Sequence, residues 1–117
     1  MAWKISTDRP AYIQIIEIIQ QRIISGYYKP GEKIKSVRDL AEEATVNPNT
    51  MQRALSELER QNLLISQGTT GKTITTDENL IKKTREDFAM QTIDDFLDKM
   101  GKMGYSSKDV INLIEKR

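Results

Sequence analysis

Cysteine and histidine are both missing from the 117 residues. Their absence removes disulfides, thiol chemistry, imidazole acid–base catalysis and the usual zinc and iron ligand sets. The sequence therefore calls for no metal and no cofactor. No apolar run approaches the length of a membrane helix, and the opening Met1-Ala2-Trp3-Lys4 has no signal-peptide apolar core, so no membrane partner is expected. A strong excess of either charge is missing too. The net charge is +1, so any surface that attracts nucleic acid must come from local arrangement. Proline occurs only three times, with Pro10 and Pro48 at predicted helix starts and Pro30 beyond the end of the first helix.

What remains is a chain 38% hydrophobic and 30% charged, a composition that suits a globular protein. Its length predicts one domain with a small appendage. The stretch Gln67-Gly68-Thr69-Thr70-Gly71-Lys72-Thr73-Ile74-Thr75-Thr76 contains Gly-Lys-Thr behind a glycine-rich turn. A nucleotide phosphate loop needs a glycine five positions before Gly71, where Ser66 stands, and a helix directly after Lys72. A β-branched run follows instead. The better reading is two short strands, Leu63 to Gln67 and Lys72 to Thr76, joined by a Gly68–Gly71 turn. A lone hairpin is barely stable and must lean on other structure.

The residues upstream supply that structure. From Ala11 to Ser25 isoleucine is dense enough to suggest a strand, but the spacing is helical. Tyr12, Ile16, Ile19 and Ile23 share one stripe, with Gln14, Glu17 and Gln21 opposite. Pro10 starts this first helix, and Gly26 followed by Pro30-Gly31 ends it. Ser36 with Asp39 has the form of a capping box. Val37, Leu40, Ala41 and Ala44 then make a short second helix. Thr45-Val46 turn the chain. Asn47 caps a third helix with Pro48 at its first position. Met51, Ala54, Leu55 and Leu58 are its buried stripe, and Asn62 stands near its end. Two helices joined by a tight turn and followed by a hairpin read as a winged helix-turn-helix over residues 1–76, mainly α with a small β-hairpin. The hairpin loop and Lys72 then suit the phosphates of a nucleic-acid backbone.

Residues 77–117 read as a helical appendage. Glu78 to about Met103 forms one long helix. Ala89, Ile93, Phe96, Met100 and Met103 recur at intervals of four and three, Leu97 widens the stripe, and Leu80, Ile81 and Phe88 extend it upstream. Gly104 closes the helix. Ser106 or Ser107 caps a last one with Val110, Leu113 and Ile114 inward. A helix of roughly 35 Å is longer than a small winged domain can cover. Each large apolar residue left bare forfeits about 1.5–3 kcal/mol of burial. A second copy of the chain is the economical cover, which makes Phe88, Ile93, Phe96, Leu97 and Met100 the candidate dimer seam.

The third helix carries the candidate contacts. Asn49, Arg53, Ser56 and Arg60 point away from its buried stripe, with Thr50 and Gln52 on the flanks. No acid occurs from Asn47 to Ser56. Asn and Gln pair with adenine, Arg with guanine, and Thr touches the thymine methyl. The same face could be an ordinary solvated surface; its place as the second helix of a helix-turn-helix favours base reading. Lys33, Lys35, Ser36 and Arg38 lead into and open the second helix, where charge and free amides invite a phosphate. A plain cap at Ser36 and a local pair between Arg38 and Glu42 are the alternatives there. Trp3 is expected to cover apolar surface.

Several stretches together resemble one family. They are Pro10-Ala11-Tyr12-Ile13-Gln14-Ile15, Gly26 with Pro30-Gly31, Ser36-Val37-Arg38-Asp39-Leu40-Ala41, and Val46-Asn47-Pro48-Asn49-Thr50. These resemble the N-terminal domain of GntR-family bacterial transcription regulators. The tail from Thr75 to Arg117 is similar to the short two-helix region of the YtrA-type subfamily. The resemblance implies a cytoplasmic homodimer on an inverted-repeat DNA operator, acting as a repressor, with transporter operons among the plausible targets. It implies contacts at Ser36, Arg38, Asn49, Thr50 and Gln52, and places Thr69, Thr70 and Lys72 in the wing. It names no small-molecule effector. The chain departs from the family pattern at Lys35, where proline is usual, at Asn62, where glycine is usual, and at Gly68-Thr69, where an Arg-Gly pair is usual. The expected contact set is thus Lys35, Ser36, Arg38, Asn49, Thr50, Gln52, Arg53, Thr69, Thr70 and Lys72. A winged helix used only for protein interaction, without specific DNA, is the competing expectation.

Overall fold

The computed structural model describes residues 3–117. Its elements run α1 (Ala11–Ile24), α2 (Val37–Ala44), α3 (Pro48–Arg60), β1 (Leu64–Ser66), a 3-10 turn (Gly68–Thr70), β2 (Lys72–Ile74), α4 (Glu78–Lys102) and α5 (Ser107–Lys116). The chain forms two compact units that divide between Lys82 and Lys83. The first turn of α4 belongs to the first unit, because Ile81 is buried in its core and Leu80 packs against it.

Each helix boundary has a local cause. Pro10 precedes α1, and its carbonyl accepts from Gln14 N. Ser36 Oγ accepts from Asp39 N and opens α2. Thr45, at φ +58°, turns the chain out of α2 in the left-handed conformation. Asn47 Oδ1 then accepts from Asn49 N, with Pro48 at the first position of α3. Asn62 ends that helix region at φ +65°, a conformation that costs Asn less than most residues. Asp77 Oδ1 accepts from Leu80 N at the start of α4. Ser106 and Asp109 form a reciprocal capping box on α5.

α1 and α2 both pack on α3. The α3 stripe is as expected: Met51, Ala54, Leu55 and Leu58 are fully buried. The α1 stripe is rotated from its expected position. Ile15, Ile19 and Ile23 form the buried line, while Tyr12 and Ile16 are half-buried at its edge. Gln14 was expected on the polar face and is instead buried. Its amide donates to the carbonyls of Ser6 and Arg9 at 2.9 and 2.8 Å and accepts from Ser6 N at 2.9 Å. Gln14 thus ties the N-terminal segment to α1. Arg22, also buried, lies 4.2 Å from the Trp3 ring centre and donates to Tyr28 Oη. Trp3 does pack against the core, and its indole N–H donates to Glu43 as well.

The hairpin is antiparallel, with Leu64 opposite Ile74 and Ser66 opposite Lys72. Its support comes from an unexpected quarter. The segment before α2 pairs with the other edge of β2: Ile34 N donates to Lys72 O, Ile74 N to Glu32 O, and Gly31 N to Ile74 O. Lys33 and Thr73 form a bridge there. The wing is therefore flanked on both sides of β2, which answers the marginal stability of a lone hairpin.

In the second unit the apolar residues of α4 face water. Met90, Ile93 and Phe96 are exposed, and Leu97 and Met100 are half-buried. Phe88 stands apart from this stripe: five residues from Ile93, it lies about 140° around the helix. Met90 shares the side of the stripe, three residues from Ile93 and two turns before Leu97. Of the α5 residues expected inward, Val110 is buried, whereas Leu113 and Ile114 are exposed. Among the described residues, no helix is long and apolar enough to cross a membrane.

Candidate nucleic-acid interface

Two parts of the first unit meet on one surface: the entry to α2 and the wing, with Leu55 of α3 beneath them. Lys33, Lys35, Ser36, Ser66, Thr69, Thr70 and Lys72 rim a concavity of about 460 Å³ floored by Ile34, Val37 and Leu55. The separate sequence signals at Ser36 and at Thr69-Thr70 thus belong to one concavity. The wing reaches α2 because the 31–34 segment pairs with β2.

The outer face of α3 is exposed at Asn49, Gln52, Arg53 and Ser56, and half-exposed at Thr50. Among the described residues the side chains of Arg38, Asn49 and Thr50 have no hydrogen-bond or ion-pair partner. Arg38 therefore does not pair with Glu42. An unpartnered guanidinium and carboxamide can meet base edges or phosphates without first breaking an internal contact. Gln52 donates to Ser56 Oγ at 3.1 Å, one turn along the exposed face. Arg53 lies over the Tyr12 ring at 3.6 Å. Stacking fixes a guanidinium while its edge N–H groups remain able to donate. The sequence held the period that brings Arg53 outward, but no local signal for its partner 41 positions away on α1.

The two acids that follow this face are both neutralised. Arg60 and Gln61 donate to the Glu57 carboxylate and pull its pKa down to about 2. Lys72 donates to Glu59, with N–O 2.5 Å, and Ser66 Oγ donates to the same carboxylate at 2.8 Å. These bonds hold Glu59 below the usual carboxylate range, with Lys72 the main cause. Bare negative charge would repel a duplex; here it is matched by neighbouring donors.

Two expected phosphate lysines are already engaged. Lys72 is half-buried against Glu59. Lys35 pairs with Glu43, whose carboxyl is lowered first by Lys35 and then by Trp3. Thr70 Oγ1 donates to Gln67 O, while Thr69 is exposed. Ser36 is committed through its oxygen as the α2 cap. Among the described residues, no group of three or more acidic, Cys or His side chains could hold a metal ion.

Comparison with known proteins agrees with this geometry. Residues 11–74 match the model of the gntR family of bacterial regulatory proteins. The HTH-type transcriptional repressor YtrA of Bacillus subtilis is 44% identical over 58 residues, which is 50% of this chain and 45% of YtrA. A GntR family transcriptional regulator from Listeria monocytogenes is 36% identical, with a TM-score of 0.88 over 96% of this chain and 98% of that one. The DNA-binding domain of AraR, solved in complex with operator ORE1, superposes with a TM-score of 0.55 at 26% identity, over 64% of this chain and 94% of that one. The winged helix-turn-helix, its exposed α3 face and the family match over more than half its length lead to one conclusion: this chain belongs to the GntR family and is a DNA-binding transcriptional regulator, not an enzyme.

Proposed function

We propose that the protein is a cytoplasmic repressor that binds an inverted-repeat operator as a homodimer. The observation that carries this reading is the α3 face. It presents Asn49, Thr50, Gln52 and Arg53 without an acid, beside an unpartnered Arg38, while Glu57 and Glu59 behind it are neutralised. In this reading α3 enters the major groove, and Asn49, Gln52 and Arg53 meet base edges. Ser36, Arg38, Thr69 and Thr70 meet backbone. Operator binding by AraR and repression by YtrA support the assignment by similarity.

One winged domain covers few base pairs, so specificity calls for two half-sites held at a fixed spacing. Met90, Ile93, Phe96, Leu97 and Met100 lie on one side of α4 and remain accessible, and they suit a self-complementary seam. The test is selection of bound sequences from random duplex DNA, followed by titration of the selected duplex and of a scrambled one. A palindromic consensus bound more tightly than the scrambled duplex is expected. In Arg38→Ala and Gln52→Ala that preference should shrink by about 1–3 kcal/mol each. Equal affinity of the wild type for both duplexes would instead favour a protein-interaction module.

A further inference from the structure

We infer that Lys33, rather than Lys72, is the lysine through which the wing contacts the DNA backbone. This inference rests on the reading of the α2–α3–wing surface as the DNA interface. By sequence Lys33 belongs to the approach to α2. In the fold it is part of the wing, because it bridges to Thr73 of β2 and its neighbour Ile34 bonds to Lys72 O.

Its side chain runs across the wing turn. A Cβ built on Gly71 would stand 3.2 Å from Lys33 Cε and 4.0 Å from Nζ. Gly71 also sits at φ +107°, where a side chain is strained. Glycine at this position therefore leaves the path for the lysine stem open. The wing lacks an arginine of its own, and Lys33 brings a cation to its tip from a different segment.

The charge balance separates the three lysines on the concavity. Lys35 is paired with Glu43 and Lys72 with Glu59. Lys33 is exposed and, among the described residues, has no side-chain hydrogen bond or ion pair. Affinity for a duplex comes from replacing condensed counterions with protein cations. A lysine that keeps its carboxylate partner brings no net charge to a phosphate. Pulling Lys72 away would leave the half-buried Glu59 carboxylate facing the same backbone. Lys33 can pair with a phosphate at no such cost.

Salt titration reads this directly, because each phosphate neutralised contributes about 0.9 to the slope of log affinity against log salt. The probes are the duplex selected by the wild type and a scrambled duplex of equal length. Two variants are compared with the wild type: Lys33→Gln, and Glu59→Gln combined with Lys72→Gln, which leaves the net charge unchanged. Lys33→Gln should flatten the slope by about one per bound protomer on both duplexes. The double variant should keep the wild-type slope. Lys33 is exposed, so Lys33→Gln does not disturb the core, and its arm decides by itself. A wild-type slope in Lys33→Gln overturns the inference while leaving the DNA-binding reading intact. A flattened slope in the double variant alone restores Lys72 to the role. A wild type that binds neither duplex in a salt-dependent way removes the interface reading and this inference with it.

Discussion

Replacing Phe96 and Met100 together with Asp should convert a dimer into monomers. Full burial of a large apolar side chain is worth about 1.5–3 kcal/mol. Met90, Ile93 and Phe96 are still 58%, 47% and 43% exposed, so about 1 kcal/mol remains available from each. Two protomers together offer about 6 kcal/mol from these three positions, and Leu97 and Met100 add to it. Association costs take back several kcal/mol, so the proposed dimer should be modest, and a shared operator would reinforce it. The double substitution removes the Phe96 share from both sides. It also sets carboxylates from both protomers into one seam, at a further cost of several kcal/mol. A combined loss of about 4 kcal/mol corresponds to a roughly thousandfold weaker dimer. Sedimentation equilibrium on wild type and variant measures it. The winged unit should keep its helical signal, because Ile15, Ile19, Leu55 and Leu58 form its core without the stripe. Monomers should retain weak, salt-sensitive DNA binding and lose the advantage of a paired site. A wild type that is monomeric at high concentration, or a variant that stays dimeric, would refute the seam.

Three further outcomes are expected. Gln14→Ala should destabilise the protein by about 1–3 kcal/mol by leaving backbone groups of Ser6 and Arg9 without their buried partner. Trp3 is the single tryptophan, so its fluorescence should report the segment's release; an unchanged melt and spectrum would remove Gln14 from that role. Glu59 has its folded pKa below the ordinary value of 4.5, so its stabilising contribution is present above that pH and is lost as pH falls through the folded value. Acid titration of stability should therefore be shallower in Glu59→Gln than in the wild type, and identical profiles would show that the pair with Lys72 contributes nothing. Calorimetry should detect no ATP binding, since Lys72 lies in a strand rather than before a helix; micromolar affinity lost in Lys72→Ala would contradict the wing assignment.

Much of the fold is local and was legible for that reason. Ser36, Asn47 and Ser106 cap helices through bonds to residues two or three positions on, and such signals need no knowledge of the rest of the chain. The α3 stripe of Met51, Ala54, Leu55 and Leu58 follows from helical period alone, and so does the outward set from Asn49 to Ser56. The family resemblance rests on those same short stretches. The first helix shows where this stops. Period located a helix from Ala11, but a run of isoleucines fits several rotations, and packing on α3 selected Ile15, Ile19 and Ile23. Gln14 reads as a surface residue until the N-terminal segment is folded over it.

The charges of the candidate site were likewise decided in three dimensions. Lys35, Lys72 and Lys33 are equivalent as letters. Their difference lies in Glu43 and Glu59, which stand 8 and 13 positions from the lysines they hold. Arg53 finds Tyr12 across a still longer stretch. Strand pairing between residues 31–34 and β2 set the wing beside α2, and no periodicity encodes that contact. The sequence by itself determined which segments become helices, where they start and which side of α3 stays polar, because neighbours along the chain settle those matters. Tertiary structure alone decided which cations remain available for DNA, because a charge is free or matched according to what the fold brings within a few ångströms of it.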